Sequence, residues 1–141
     1  MPFRVRVVGW AQEHERLRAI RHEVFVAEQR VPAELEWDGR DVDARHVIAL
    51  DAHDNPIGCG RLLADGTIGR IAVALASRGR GVGGAILSRL IEIARYGGFD
   101  RIVLSAQTHA LEFYARYGFV AAGEEVQEAG IAHRRMQRRI G

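Results

Sequence analysis

Phe3, Val5 and Val7 alternate with Arg4, Arg6 and Val8, the period-two pattern of a half-buried strand. From about Gln12 to Gln29 the period lengthens. Leu17, Ile20, Val24 and Phe25 fall at i, i+3, i+7 and i+8, one apolar face of a helix that Pro32 ends. Residues 32–45 are acidic and irregular, with Glu34, Glu36, Asp38, Asp41 and Asp43 around Trp37, and predict a loop with a short helical turn. Two apolar runs, 45–51 and 56–64, are joined by His53-Asp54-Asn55-Pro56 and predict a hairpin. Asp65-Gly66 then turns the chain into a strand from Thr67 to Ala74, so the middle of the chain reads as an antiparallel meander.

Beyond residue 84, Ile86, Leu87, Leu90, Ile91, Ile93 and Ala94 give a strongly helical pattern that stops at Gly97-Gly98. A strand over 101–106, a short helix over 108–117 closed by Gly118, and strands near 119–126 and 131–139 complete the set. The arginines of the last strand alternate in part with Ala132, Met136 and Ile140, as expected of an edge strand with one solvated face. The order βαβββαβαββ predicts an α/β protein with a mixed, mostly antiparallel twisted sheet flanked by helices. At 141 residues and 48% hydrophobic content, with no repeats or linker-like stretches, residues 1–141 are expected to form one domain.

Charged residues make up 27% of the chain, and no apolar run approaches the ~20 residues of a membrane span. The start of the chain lacks the apolar segment of a secretory signal, so the expected location is cytoplasmic and membrane partners are not expected. A net charge of +2 does not call for a nucleic-acid partner, although local arginine clusters suit phosphate binding. The single Cys59 excludes an intramolecular disulfide and reads as a small buried residue.

The chemistry is concentrated in Arg78-Gly79-Arg80-Gly81-Val82-Gly83-Gly84, a loop after an apolar strand and before a helix. Such a turn aims backbone N–H groups at the positive end of the helix dipole, and its glycines let a phosphate approach. Gly79-x-Gly81-x-x-Gly84 also fits the dinucleotide fingerprint, but antiparallel-looking strands precede it and the next strand ends in Ser105-Ala106-Gln107 without an acidic residue. A P-loop would need Gly-Lys-Ser/Thr, which does not follow.

Arg78-x-x-Gly81-x-Gly83 resembles the Arg/Gln-x-x-Gly-x-Gly/Ala motif of the GNAT acetyltransferases. Gly69-Arg70-Ile71-Ala72-Val73 is similar to that family's fourth strand, and Phe113-Tyr114-Ala115-Arg116-Tyr117-Gly118-Phe119 to its Phe-Tyr-x-x-x-Gly-Phe segment. Arg21-x-Glu23-Val24-Phe25-Val26-x-Glu28-Gln29, then Glu36, Asp38 and His46, narrows the resemblance to the ElaA-like subgroup. Gly130-Ile131-Ala132-His133 near the end also resembles that subgroup, with one departure, Ala132, where a proline is expected.

The resemblance implies acetyl-CoA as co-substrate, no metal, and direct acetyl transfer to an amine acceptor. Gly79, Gly81, Val82, Gly83 and Gly84 would offer amides to the pyrophosphate, and Arg78 or Arg80 would reach outer phosphates. Ile71, Ala72 and Val73 would pair with the pantetheine arm, while Gln107 and Ser105, where the fifth strand diverges from the fourth, would line the slot. Tyr114 would protonate the departing sulfur, its phenol staying protonated at neutral pH; the same residue also fits a core aromatic. Glu28 and His133 are the two candidates for the base, each with an ordinary surface or packing role as alternative. Glu36, Trp37 and Asp38 are candidates for binding a cationic amine, against a solvated acidic loop anchored by its tryptophan. Paired domains are frequent in such proteins, so a homodimer is expected. A non-catalytic acyl-CoA sensor with the same cradle is the alternative function.

Overall fold

The computed structural model describes residues 2–141. Strands β1 (Phe3–Val8), β2 (Arg45–Asp51), β3 (Pro56–Leu62) and β4 (Ile68–Val73) form one antiparallel sheet in chain order, with Val5 opposite Ala49, Val47 opposite Gly60 and Cys59 opposite Ala72. The second sheet holds β5 (Arg101–Gln107), β6 (Val120–Glu128) and β7 (Ile131–Arg139), all antiparallel, in the order β5-β7-β6. The arginine-rich last strand is therefore central and not an edge, because β5 takes β7 as its partner; β6 is the edge. The two sheets meet at one parallel bridge, Thr67 to Val103, where the Val103 amide donates to the Gly66 carbonyl at 3.1 Å. Beyond it β4 and β5 part.

The first sheet is covered on both faces, which is why β2 reads as a continuous apolar run. Val47, Ala49 and Leu62 face helix α3 (Val82–Tyr96) and pack on Ile86, Leu87 and Leu90. Ile48, Leu50 and Cys59 face helix α1 (Trp10–Arg21) and pack on Leu17, Ile20 and Val24. The glycines of β3 allow α3 to approach closely. A β-carbon at Gly60 would lie 2.8 Å from both Ile86 Cγ2 and Leu90 Cδ1.

The expected first helix is two elements. After Arg21 the coil widens to a π-helical stretch, His22–Glu28, in which the Gln29 amide reaches back five residues to the Val24 carbonyl at 3.0 Å. The acidic segment contains the expected short turn, α2 (Ala33–Glu36). The last helix is a single 3₁₀ turn, Thr108–Ala110, running into α4 (Leu111–Ala115).

One irregularity in β4 decides which residues face the cleft. Ile68 and Ala72 are four apart, so in a regular strand they would share a face. Instead Ile68 packs with α3 and Ala72 with α1. Between them the register slips and Arg70 adopts φ 51°. This is a bulge that reverses the alternation.

Candidate active site

The parting of β4 and β5 opens a cavity of about 1080 Å³, floored by the two strands and rimmed by the π-helical segment, the 78–83 loop and the β6–β7 turn. Beyond the Thr67–Val103 bridge, β4 is paired only with β3, so its other edge presents the backbone of Gly69 to Val73 to the cavity. Ile71, Ala72 and Val73 all line it.

At one end stands the glycine loop. Gly79 and Gly81 have φ of 80° and 82°, and a β-carbon at either would meet nothing within 4 Å, so conformation rather than space requires glycine there. Gly81 is the N-cap of α3, with no side-chain cap. The first helical bond runs from the Ala85 amide to the Gly81 carbonyl at 3.0 Å, leaving the amides of Val82, Gly83 and Gly84 without partners inside the helix. Amides left open in this way at a helix start suit an anion, and the donor set fits a phosphate group. Gly84 serves a different need, since a β-carbon there would overlap the Tyr117 hydroxyl, so its absence seats α4 against α3.

Arg78 is expected on phosphates, and here it spans the cavity mouth. Its Nη1 and Nη2 donate to the two carboxylate oxygens of Glu28 at 2.7 Å each, and its Nε donates to the Val73 carbonyl at 2.9 Å. These bonds lower the Glu28 carboxyl below its ordinary value, so in this arrangement Glu28 is a weaker proton acceptor. The neighbouring Gln29 reaches the opposite strand. Its Oε1 accepts from Gln107 Nε2 at 2.8 Å, and Gln107 Oε1 lies 2.7 Å from His109 Nε2.

Tyr114 projects from α4 against Phe113 and Phe119, both edge-on, with ring centroids 5.0 and 6.1 Å away. Burial pushes its phenol up to about 12, which keeps the proton on oxygen at neutral pH. His133 lies opposite Gln107 in the β5–β7 register. Its Nδ1 is 2.7 Å from the Ile131 carbonyl. A carbonyl only accepts, so Nδ1 carries the hydrogen and the neutral ring keeps its lone pair on Nε2.

The expected acceptor site at Glu36, Trp37 and Asp38 needs correction. These residues belong to an internal network of three arginines and three carboxylates. Arg21, 1% exposed, donates to Glu36 Oε1 at 2.7 Å and to Asp41 Oδ1 at 2.6 Å. Arg61 bonds Asp38 at 2.5 and 3.0 Å and Asp41 at 2.9 Å, and Arg70 Nη2 bonds Asp38 at 3.2 Å and the Glu36 carbonyl at 3.1 Å. Burial alone would raise Asp38 and Asp41, but the guanidinium bonds outweigh it and hold both below the usual carboxylate range. The cations over the Trp37 ring are Arg18 and Arg21, at 5.5 and 5.0 Å. Charges already neutralised inside the fold do not draw in a cationic substrate.

Arg21, Arg61 and Arg70 are the residues the sequence reading missed. Arg21 falls four residues after Leu17 in the apolar stripe of the helix, a misplaced charge that pointed to a buried partner in the acidic segment. Glu128 was missed as well: Ser105, expected at the slot, donates from Oγ to Glu128 Oε2 at 2.5 Å across β7, and no local pattern marked the glutamate.

A sheet split beside a helix N-terminus, with a half-buried tyrosine beyond, defines an acyl-CoA-type acyltransferase fold. The chain belongs to the GNAT acetyltransferases: residues 11–140 match the family described as Acetyltransferase (GNAT) domain. It is an ElaA-like member. It is 40% identical over 123 residues to the uncharacterized N-acetyltransferase YjcF of Bacillus subtilis, covering 84% of this chain and 87% of that one. To protein ElaA of Escherichia coli it is 33% identical over 133 residues, covering 88% and 86%. Among solved structures, an acyl-CoA N-acyltransferase from Pseudomonas aeruginosa superposes with a TM-score of 0.87 at 34% identity, covering 97% and 99% of the chains. A GNAT acetyltransferase from Elizabethkingia anophelis with acetyl-CoA bound shares the fold, with a TM-score of 0.72 at 19% identity over 98% of both chains.

Proposed function

We propose that this N-acetyltransferase transfers the acetyl group of acetyl-CoA directly to a primary amine in the β4–β5 cleft. The observation that carries the reading is the continuity of the cleft, which joins free amides at the start of α3, an unpaired strand edge and the Tyr114 phenol. Acetyl-CoA supplies the thioester carbonyl. The amides of Val82, Gly83 and Gly84, in the loop turned by Gly79 and Gly81, hold the pyrophosphate, with Arg80 beside them. Arg78 stays on Glu28 at the cavity mouth, next to this loop. Ile71, Ala72 and Val73 hydrogen-bond the pantetheine along the free edge of β4, and Gln107 borders it from β5.

In the transfer the amine nitrogen bonds the carbonyl carbon and the carbon–sulfur bond breaks. Tyr114 gives its proton to the sulfur, and His133 Nε2 takes the proton lost by the nitrogen. Assignment to His133 rather than Glu28 follows from their partners, since a carbonyl fixes the first as a proton acceptor and an arginine disarms the second.

The test is a thermal-shift titration with acetyl-CoA followed by CoA release in the presence of amines. Acetyl-CoA is expected to raise the melting temperature progressively with concentration. No stabilisation at millimolar acetyl-CoA would overturn the reading.

A further inference from the structure

Four carboxylates line the cleft: Glu28, Glu36, Asp38 and Glu128. The first three are paired with Arg78, Arg21 and Arg61. Glu128 is different. It accepts the hydrogen bond from Ser105 and makes no ion pair among the described residues.

Its position is fixed from both sides. Ala129 and Gly130 have φ of 53° and 78°, the two consecutive positive values of a tight hairpin turn, which sets Glu128 opposite Ile131. Ser105 lies two residues beyond Val103, the bridge at which the two sheets part, and it alternates with Leu104 and Ala106, which are buried toward α3. Glu128, Ile131, His133, Ser105 and Gln107 thus share the face of the second sheet that α3 leaves open. The same cleft is also lined by the apolar side chains of Phe25, Val31 and Leu35.

We propose that Glu128 recognises the acceptor, and that the acceptor is a di- or polyamine. This rests on the acetyl-transfer reading above. The attacking nitrogen must be neutral, whereas an unpaired carboxylate favours a charged partner, so Glu128 holds the ammonium that does not react. Ser105 keeps the carboxylate turned toward the cleft. Val31, Leu35 and Ile131 provide the surface for an alkyl spacer between the two nitrogens.

The experiment compares butane-1,4-diamine with butylamine as acceptors for the wild type, Glu128→Gln, Glu128→Asp and Ser105→Ala, with an acetyl-CoA thermal shift run on each. The wild type is expected to favour the diamine. Glu128→Gln should raise KM for the diamine roughly 10- to 100-fold, the span of one charge-assisted hydrogen bond. KM for butylamine and the acetyl-CoA shift should stay within about twofold of wild type on the same scale. Glu128→Asp should recover part of the loss, and Ser105→Ala should show a smaller loss of the same kind. Equal use of both amines by the wild type, or an equal loss on both in Glu128→Gln, would overturn the proposal. A wild type stabilised by acetyl-CoA that does not turn over the diamine refutes the acceptor assignment alone, whereas a wild type without any acetyl-CoA shift refutes the underlying reading as well.

Discussion

Replacing Arg21 by Met tests whether the buried ionic network holds the acidic 32–45 segment in place. The substitution keeps much of the side-chain volume and removes the guanidinium. Glu36, 2% exposed, then loses two bonds, at 2.7 and 3.1 Å, and Asp41 loses one, at 2.6 Å. Breaking a buried pair from one side costs about 3–5 kcal/mol, because the remaining charge stays out of water. Arg70 still lies 3.2 Å from Glu36 and Arg61 still bonds Asp41, which places the loss near ~3 kcal/mol, the lower end of that range. Urea unfolding followed by circular dichroism measures it, with an unchanged m-value as the control for two-state behaviour. Adding Glu36→Gln should recover ~1–2 kcal/mol, since the stranded carboxylate is then gone. A loss below ~1 kcal/mol for Arg21→Met, with no recovery in the double variant, would show that desolvation of the arginine cancels its bonds and that the network does not stabilise the loop.

The folded-state values of Asp38 and Asp41 lie below the ordinary ones, so their contribution to stability is complete above the unfolded value of ~3.9 and is lost as pH falls through the folded values. Urea midpoints should therefore drop steeply below about pH 4, and Arg21→Met should show a shallower acid limb because Asp41 has lost one of its two arginines. Tyr114→Phe should lower kcat by roughly 10²- to 10⁴-fold while leaving the acetyl-CoA thermal shift unchanged; equal turnover would remove its role as acid. Gly60→Ala, which drives a methyl group into Ile86 and Leu90, should lose ~1–3 kcal/mol in the same urea assay. Cys59 is buried and its thiol is pushed up to about 12, so iodoacetamide at pH 8 should label it only after denaturant unfolds the chain.

Local periodicity located most elements. β2 spans the apolar run 45–51, and α3 covers the helical stripe from Val82 to its stop at Gly97. The glycine loop was equally legible, because positive φ at Gly79 and Gly81 and a helix start at Val82 are local requirements. Three features were not. The bulge at Arg70 depends on its side chain reaching Asp38 and the Glu36 carbonyl, more than thirty residues away, and no window around β4 contains those partners. The central place of β7 is a question of which strand β5 chooses, and alternating arginines suit either position. The acidic segment looked like a surface charge run because its partners Arg21, Arg61 and Arg70 lie on three other elements. Ser105 and Glu128, too, meet only through the strand order β5-β7-β6, which no local window contains.

The order β5-β7-β6 has a consequence for how the protein assembles. Strands β1 to β4 each lie beside their neighbour in sequence, and the hairpins joining β2, β3 and β4 close over short turns. β5 must wait. Residues 101–107 find their partners at 133–139, so that edge of the cleft can form only after α4 and β6 have been laid down and β7 has slid between two strands. Contacts of long sequence separation close slowly, because the entropy of the intervening loop is lost before the pairing is gained. The β2-β3-β4 hairpins form a scaffold able to fold early, whereas β1 and β5 must each find a partner far along the chain, and the cleft is complete only once β5 has done so.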